Sequence, residues 1–141
     1  MGKINVGRLI LGGIVAGIVG DVLDFPVDGL WLGNTWNNQM AALLKPALST
    51  NQIIWFNVMG IIVGLVAIWI YAGIRPRFGA GVKTAIYAGL AAWILACLVP
   101  NVSFMCISGL FSRHLALYTT LGGLIEYIVG AIAGAALYKE A

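Results

Sequence analysis

Residues 53–74 read IIWFNVMGIIVGLVAIWIYAGI, a run without a single charged side chain. About 20 apolar residues suffice to cross the hydrocarbon core of a bilayer, so this stretch predicts a membrane span. Asn57 is its one strongly polar residue, and Trp55 at one end with Trp69 and Tyr71 at the other fits aromatic anchoring at the two interfaces. The composition extends that reading to the whole chain. Of 141 residues, 61% are apolar and 9% charged, and the mean hydropathy is +0.97. A soluble domain carries about 25% charged residues. Too few are present here to coat a water-exposed surface.

Working outward, Arg75-Pro76-Arg77 predicts a sharp stop to this span. The short connection to Lys83 makes the next span an antiparallel neighbour. That span covers about 83–105, within an apolar run that continues to Phe111. Pro100 frees the carbonyl of Ala96 from its helical donor, and Asn101 and Ser103 are placed to bond such a freed group. Arg113-His114 marks a tight connection to a last span at about 115–138. In the other direction lies a polar connection, 33–52, whose middle, 36–44, predicts a short helix along the membrane surface. Before it, about 6–28 forms the first span. The expected fold is all-α: one domain, 1–141, of four transmembrane helices with glycine-rich packing faces. Gly13/Gly17, Gly60/Gly64 and Gly130/Gly134 are each spaced GxxxG, which lets helix backbones approach closely.

Four spans divide the basic residues unevenly. Lys3, Arg8, Arg75, Arg77, Lys83 and Lys139 fall on one side, and Lys45 and Arg113 on the other. The positive-inside rule then predicts cytoplasmic termini in a cell membrane, a bacterial inner membrane being expected. The net charge of +3 comes from scattered residues, which argues for topology and against nucleic-acid binding. The N-terminal run resembles a signal peptide but has no Ala-x-Ala site, so an uncleaved span is expected. Met1-Gly2 lacks the Ser or Thr that acylation prefers at the position of Val6. Cys97 and Cys106 lie about 13 Å apart on a continuous helix, beyond disulfide reach.

The most unusual stretch is Gly20 to Trp36, GDVLDFPVDGLWLGNTW. Asp21, Asp24 and Asp28 are spaced i, i+3, i+7 and fall within roughly 60° of one another on a helix. Two readings stand open. In one, the helix continues through Pro26 with a kink, and the carboxylates beside a freed carbonyl form an oxygen-rich spot for a cation, a proton or an arginine. In the other, the span ends near Leu23, and residues 24–29 are an interfacial turn with hydrated acids.

Glu126 stands near the middle of the last span, about 16 Å from its outer end. An ionised acid at that depth costs at least about 2.5–3.5 kcal/mol. Glu126 is therefore expected to be neutral, paired or facing a wet interior. It serves either as a proton-carrying or cation-binding acid, or as a hydrogen bonder to Asn57, Thr119 or a tyrosine. Arg113 and His114 are possible ion-pair partners for the aspartates, with headgroup contact the alternative for Arg113. No metal-ligand spacing surrounds His114, and neither a metal nor a cofactor is expected. Enzymatic motifs are missing: there is no phosphate loop, HExxH, Gly-x-Ser-x-Gly or CxxC.

Phe25-Pro26, then Gly33-Asn34-Thr35-Trp36, and the glycine-rich last span carry a resemblance to small four-span bacterial membrane proteins of unknown function. The chain departs from them in its three aspartates and in a longer gap between Pro26 and Gly33. The resemblance implies a topology and no activity. Two function classes follow from the residues. The first is a non-catalytic small subunit or homo-oligomer, with the bilayer, itself or other membrane subunits as partners. The alternative is a small proton- or cation-coupled transporter or channel using Asp21, Asp24, Asp28 and Glu126.

Overall fold

The computed structural model describes residues 3–141. Met1 and Gly2, with the acylation reading placed on them, lie outside the described residues, as does the side chain of Cys106 and hence the expected separation of the two thiols. Cys97 is a free thiol. Among the described residues every regular element is helical. Helix α1 (Val6–Asp24) runs into a π-helical stretch, Phe25–Trp31. A short α2 (Gly33–Ala42) follows, then α3 (Thr50–Phe78) and α4 (Val82–Trp93). Two further π stretches, Ile94–Leu98 and Asn101–Ile107, extend α4 before α5 (Arg113–Leu137). Four segments are long and apolar enough to cross a membrane: Val6–Trp31, Thr50–Phe78, Val82–Met105 and Arg113–Leu137.

The helix ends follow local chemistry. Ser49 and Gln52 form a capping box, each side chain serving the other's backbone N–H, so α3 starts ahead of its apolar run. The stop expected at Arg75-Pro76-Arg77 is a correction. Pro76 lies inside α3, where it leaves the Ala72 carbonyl without its helical donor but does not end the helix, which closes at Gly79, whose φ of 85° few other residues adopt. Asn5 and Ser112 cap α1 and α5 through their side-chain oxygens.

Helix α1 packs along both α3 and α5, and α4 closes the bundle against α5 and α3. Small residues make these approaches possible. A Cβ on Gly13 would stand 2.6 Å from Leu65 Cα, and one on Gly130 would stand 2.6 Å from the Ala16 carbonyl oxygen. Gly17 faces Ile61, Gly64 faces Gly13 and Gly17, and Gly134 faces Gly12, all at backbone contact. The interior is rich in alanine, glycine and threonine, while Ile14, Val66, Trp69, Leu121 and Ile125 point outward. That reverses the usual order of a soluble core, where the large apolar side chains are inside.

Two packed clusters bracket the bundle. At one end Ile68, Tyr71, Ala85, Ala88 and Tyr138 are buried together. There Arg75 pairs with Glu140 at 3.2 Å, and the Ala141 N–H donates to the Lys3 carbonyl. At the other end Leu32, Met105, Leu115 and Ala116 form the second cluster. Helix α2 is fastened over it where the Ser112 N–H donates to Gln39 Oε1 at 2.9 Å.

Candidate functional site

The proline in the acidic stretch does not end the first span. Pro26 sits at the start of the π stretch, and the wider bonding register holds the chain helical to Trp31, closing with Leu32 N–H to the Val27 carbonyl at 2.8 Å. Such wide turns re-satisfy backbone groups that proline disrupts. The interfacial-turn reading of residues 24–29 is thereby overturned. Asp24 is the last residue of α1, and Asp28 lies within the π stretch.

This geometry turns Asp24 and Asp28 toward Glu126 on α5. One carboxylate oxygen from each of the three lies within 4.8 Å of the other two. Asp28 is half-buried and accepts a 2.7 Å hydrogen bond from Trp36 Nε1. Glu126 is 7% exposed, and its Oε1 is buried with no hydrogen-bond partner. Two of the partners expected for it, Thr119 and Asn57, are engaged elsewhere. Thr119 Oγ1 donates to the Leu115 carbonyl at 2.9 Å, and Asn57 Nδ2 donates to the Ile53 carbonyl at 2.8 Å.

Asp21 stands apart from this triad. Its carboxylate rests directly on Gly60 of α3, in the space a Cβ would fill. Gly60, expected as a helix-packing position, meets Gly17 of α1 through its carbonyl oxygen and also seats this acid. All four acids line one cavity of about 690 Å³ that lies between the two apolar clusters. No Lys or Arg side chain lines it among the described residues.

Arg113 and His114 do not reach the acids. Both are exposed, His114 lies against the Tyr118 ring at 4.5 Å, and neither lines the cavity. Among the described residues no ion pair joins them to Asp21, Asp24 or Asp28. They sit at the first turn of α5, more than three turns from Glu126 along the helix. The expected role of Asn101 is also corrected. Its amide donates across to Thr120 Oγ1 at 2.9 Å and to Thr119 Oγ1 at 3.4 Å, tying the π stretch of α4 to α5 beside the cavity.

The sequence placed all four acids among the site candidates and missed their surroundings. Trp36 reads as an interfacial aromatic, and nothing in its spacing from Asp28 announces a hydrogen bond. Tyr127, Phe25 and Phe56 line the cavity beside the acids. Chemically, ionised carboxylates only accept hydrogen bonds, so a cluster of them draws a cation or retains protons. Oxygen donors with this separation suit a hard cation or a multi-proton hydrogen-bonding head. Comparison with protein-family models, curated proteins and solved structures finds no match, so the site stands on its geometry alone.

Proposed function

We propose that this chain is an integral membrane protein that takes a cation or proton into the acidic cavity of its helix bundle, as a small proton- or cation-coupled transporter or channel. One observation carries the reading: Glu126, buried at mid-helix with an unpartnered Oε1, faces a cavity that three further carboxylates line and that, among the described residues, no Lys or Arg side chain lines. A buried acid without compensation is costly, and a cation or protons that visit the site offset that cost. The outward-facing isoleucines, leucines and tryptophans support insertion in lipid. The uneven distribution of Lys and Arg supports cytoplasmic termini.

A non-catalytic subunit or homo-oligomer would use its GxxxG faces to meet a partner. Gly13, Gly17, Gly60, Gly64, Gly130 and Gly134 all meet neighbours within this chain, so those faces supply no argument for a partner.

The test is flux through the purified protein in proteoliposomes loaded with a pH-sensitive dye or with a dye selective for the imposed cation, under gradients of H⁺, Na⁺, K⁺ or Mg²⁺. The wild type is expected to move protons or one of these cations, and Glu126→Gln and Asp24→Asn are expected to abolish the movement. Wild-type liposomes indistinguishable from empty ones under all four gradients would count against transport.

A further inference from the structure

We infer that the ligand of this cavity is an amphipathic organic cation, an ammonium head on an apolar or aromatic body, admitted from the lipid through the seam between α1 and α3. The inference rests on the cation-site reading above and names its substrate class.

The cavity is large for a bare ion. Its volume of about 690 Å³ falls within the range of small-molecule pockets, about 300–1,000 Å³. A hard metal ion takes about six to eight oxygen ligands, and here three carboxylates converge while much of the remaining lining is apolar. Phe25, Phe56, Trp36 and Tyr127 bring four aromatic rings to the same space. Aromatic faces attract ammonium groups and accept apolar bodies. The unpartnered, buried Glu126 Oε1 marks where the head would sit, opposite Asp24 and Asp28.

The route follows from a second depression, on the outer surface. Ile18, Asp21, Val22, Phe25 and Asn57 line it. Asp21, Phe25 and Asn57 border the cavity as well, so these three side chains stand between the depression and the cavity. Ile18 and Val22 are exposed and lie at mid-span, where a bilayer would meet them as hydrocarbon. Asp21 is about 22 Å along a helix of about 39 Å. A ligand arriving there passes an acid that Gly60 holds at the seam. An apolar body with a cationic head suits that path, and a hydrated metal ion does not.

The experiment is calorimetric titration of the full chain in lipid nanodiscs with benzyltrimethylammonium, its neutral analogue neopentylbenzene, and separately Mn²⁺ and Ca²⁺. Saturable binding of benzyltrimethylammonium is expected, at least about tenfold weaker in Glu126→Gln and in Asp24→Asn. Phe56→Leu, at an exposed position that tolerates change, is expected to weaken it several-fold. Ile18→Trp is expected to slow association in stopped-flow measurements while leaving affinity unchanged, and an unaltered rate would remove the α1–α3 route. Equal binding of neopentylbenzene, or benzyltrimethylammonium binding that survives in a folded Glu126→Gln/Asp24→Asn double variant, overturns the proposal. Binding of Mn²⁺ or Ca²⁺ alone, lost in Glu126→Gln, overturns the organic substrate class while leaving the cation site standing. Binding of none of the four probes also overturns the organic substrate class, and the flux measurement with H⁺, Na⁺, K⁺ and Mg²⁺ then decides the cation-site reading by itself.

Discussion

Trp36 Nε1 donates a 2.7 Å hydrogen bond to Asp28 Oδ1, joining the short helix α2 to the wide turn that follows Pro26. The bond orients one carboxylate of the triad and holds α2 over the end of the bundle, where Trp36 also meets Phe111 edge to face at 5.4 Å. Replacing Trp36 with Phe keeps an aromatic ring and removes the donor. Hydrogen bonds to charged groups contribute about 1.5–3 kcal/mol, and this one is part-buried, so a loss of about 1–2 kcal/mol is expected. Thermal denaturation in detergent checks it. A melting curve identical to wild type would show that the bond contributes nothing to stability.

Gly60 is the seat of the Asp21 carboxylate, and Gly60→Ala places a methyl group where that carboxylate lies. Overpacking of this kind typically costs about 1–3 kcal/mol. Gly73, on the same helix, has open space around it, so Gly73→Ala is expected to be neutral or to stabilise by up to about 1 kcal/mol. The pair is compared by thermal unfolding. Equal midpoints for the two variants would show that Asp21 swings away from Gly60 at no cost.

Glu126→Gln keeps the shape of the side chain and removes the acid. The variant is expected to fold and to be at least as stable as wild type without ligand, because a neutral amide is less costly to bury than an unpaired carboxylate. It is also expected to lose ligand-induced stabilisation. A cation at a hundred times its dissociation constant stabilises the native state by about 2.7 kcal/mol, and that increment is expected in wild type only. Melting curves with and without cation give both quantities, and an equal cation-induced shift in the variant would place the binding elsewhere.

Orientation is open to chemical labelling. In a background of Cys97→Ala and Cys106→Ala, a cysteine at Asn38 is expected to react with an impermeant thiol reagent added outside intact cells. One at Gly79 is expected to react only after permeabilisation. The motive is the six-to-two split of Lys and Arg between the two ends. The reverse pattern would invert the protein and turn α2 toward the cytoplasm.

Much of the fold is legible in the sequence because it depends on properties that are local in the chain. Length and hydropathy set the four long helices, and a run such as residues 53–74 can satisfy its backbone within itself in lipid only as a helix, since a barrel needs partner strands. Ser49 and Gln52 carry the start of α3 in their spacing. The prolines were less legible. Whether Pro26, Pro76 and Pro100 break, kink or merely widen a helix depends on what packs beside them, and all three lie within or at the edge of continuing helical structure.

The candidate site divides the same way. The sequence alone named Asp21, Asp24, Asp28 and Glu126, because an acid in an apolar run is conspicuous wherever the run folds. Their assembly belongs to the tertiary structure. Asp28 and Glu126 are almost a hundred positions apart, and they meet only because α1 packs against α5 and the wide turn after Pro26 continues the helix past them. Spacing along one helix says which residues share a face, and it says nothing about which helix that face meets. For that reason Arg113, near in the chain to Glu126, proved remote, while Gly60, with no sequence link to Asp21, turned out to be its seat. Composition and periodicity determined the helices; the contacts between helices decided that the acids share a cavity that, among the described residues, no Lys or Arg side chain enters.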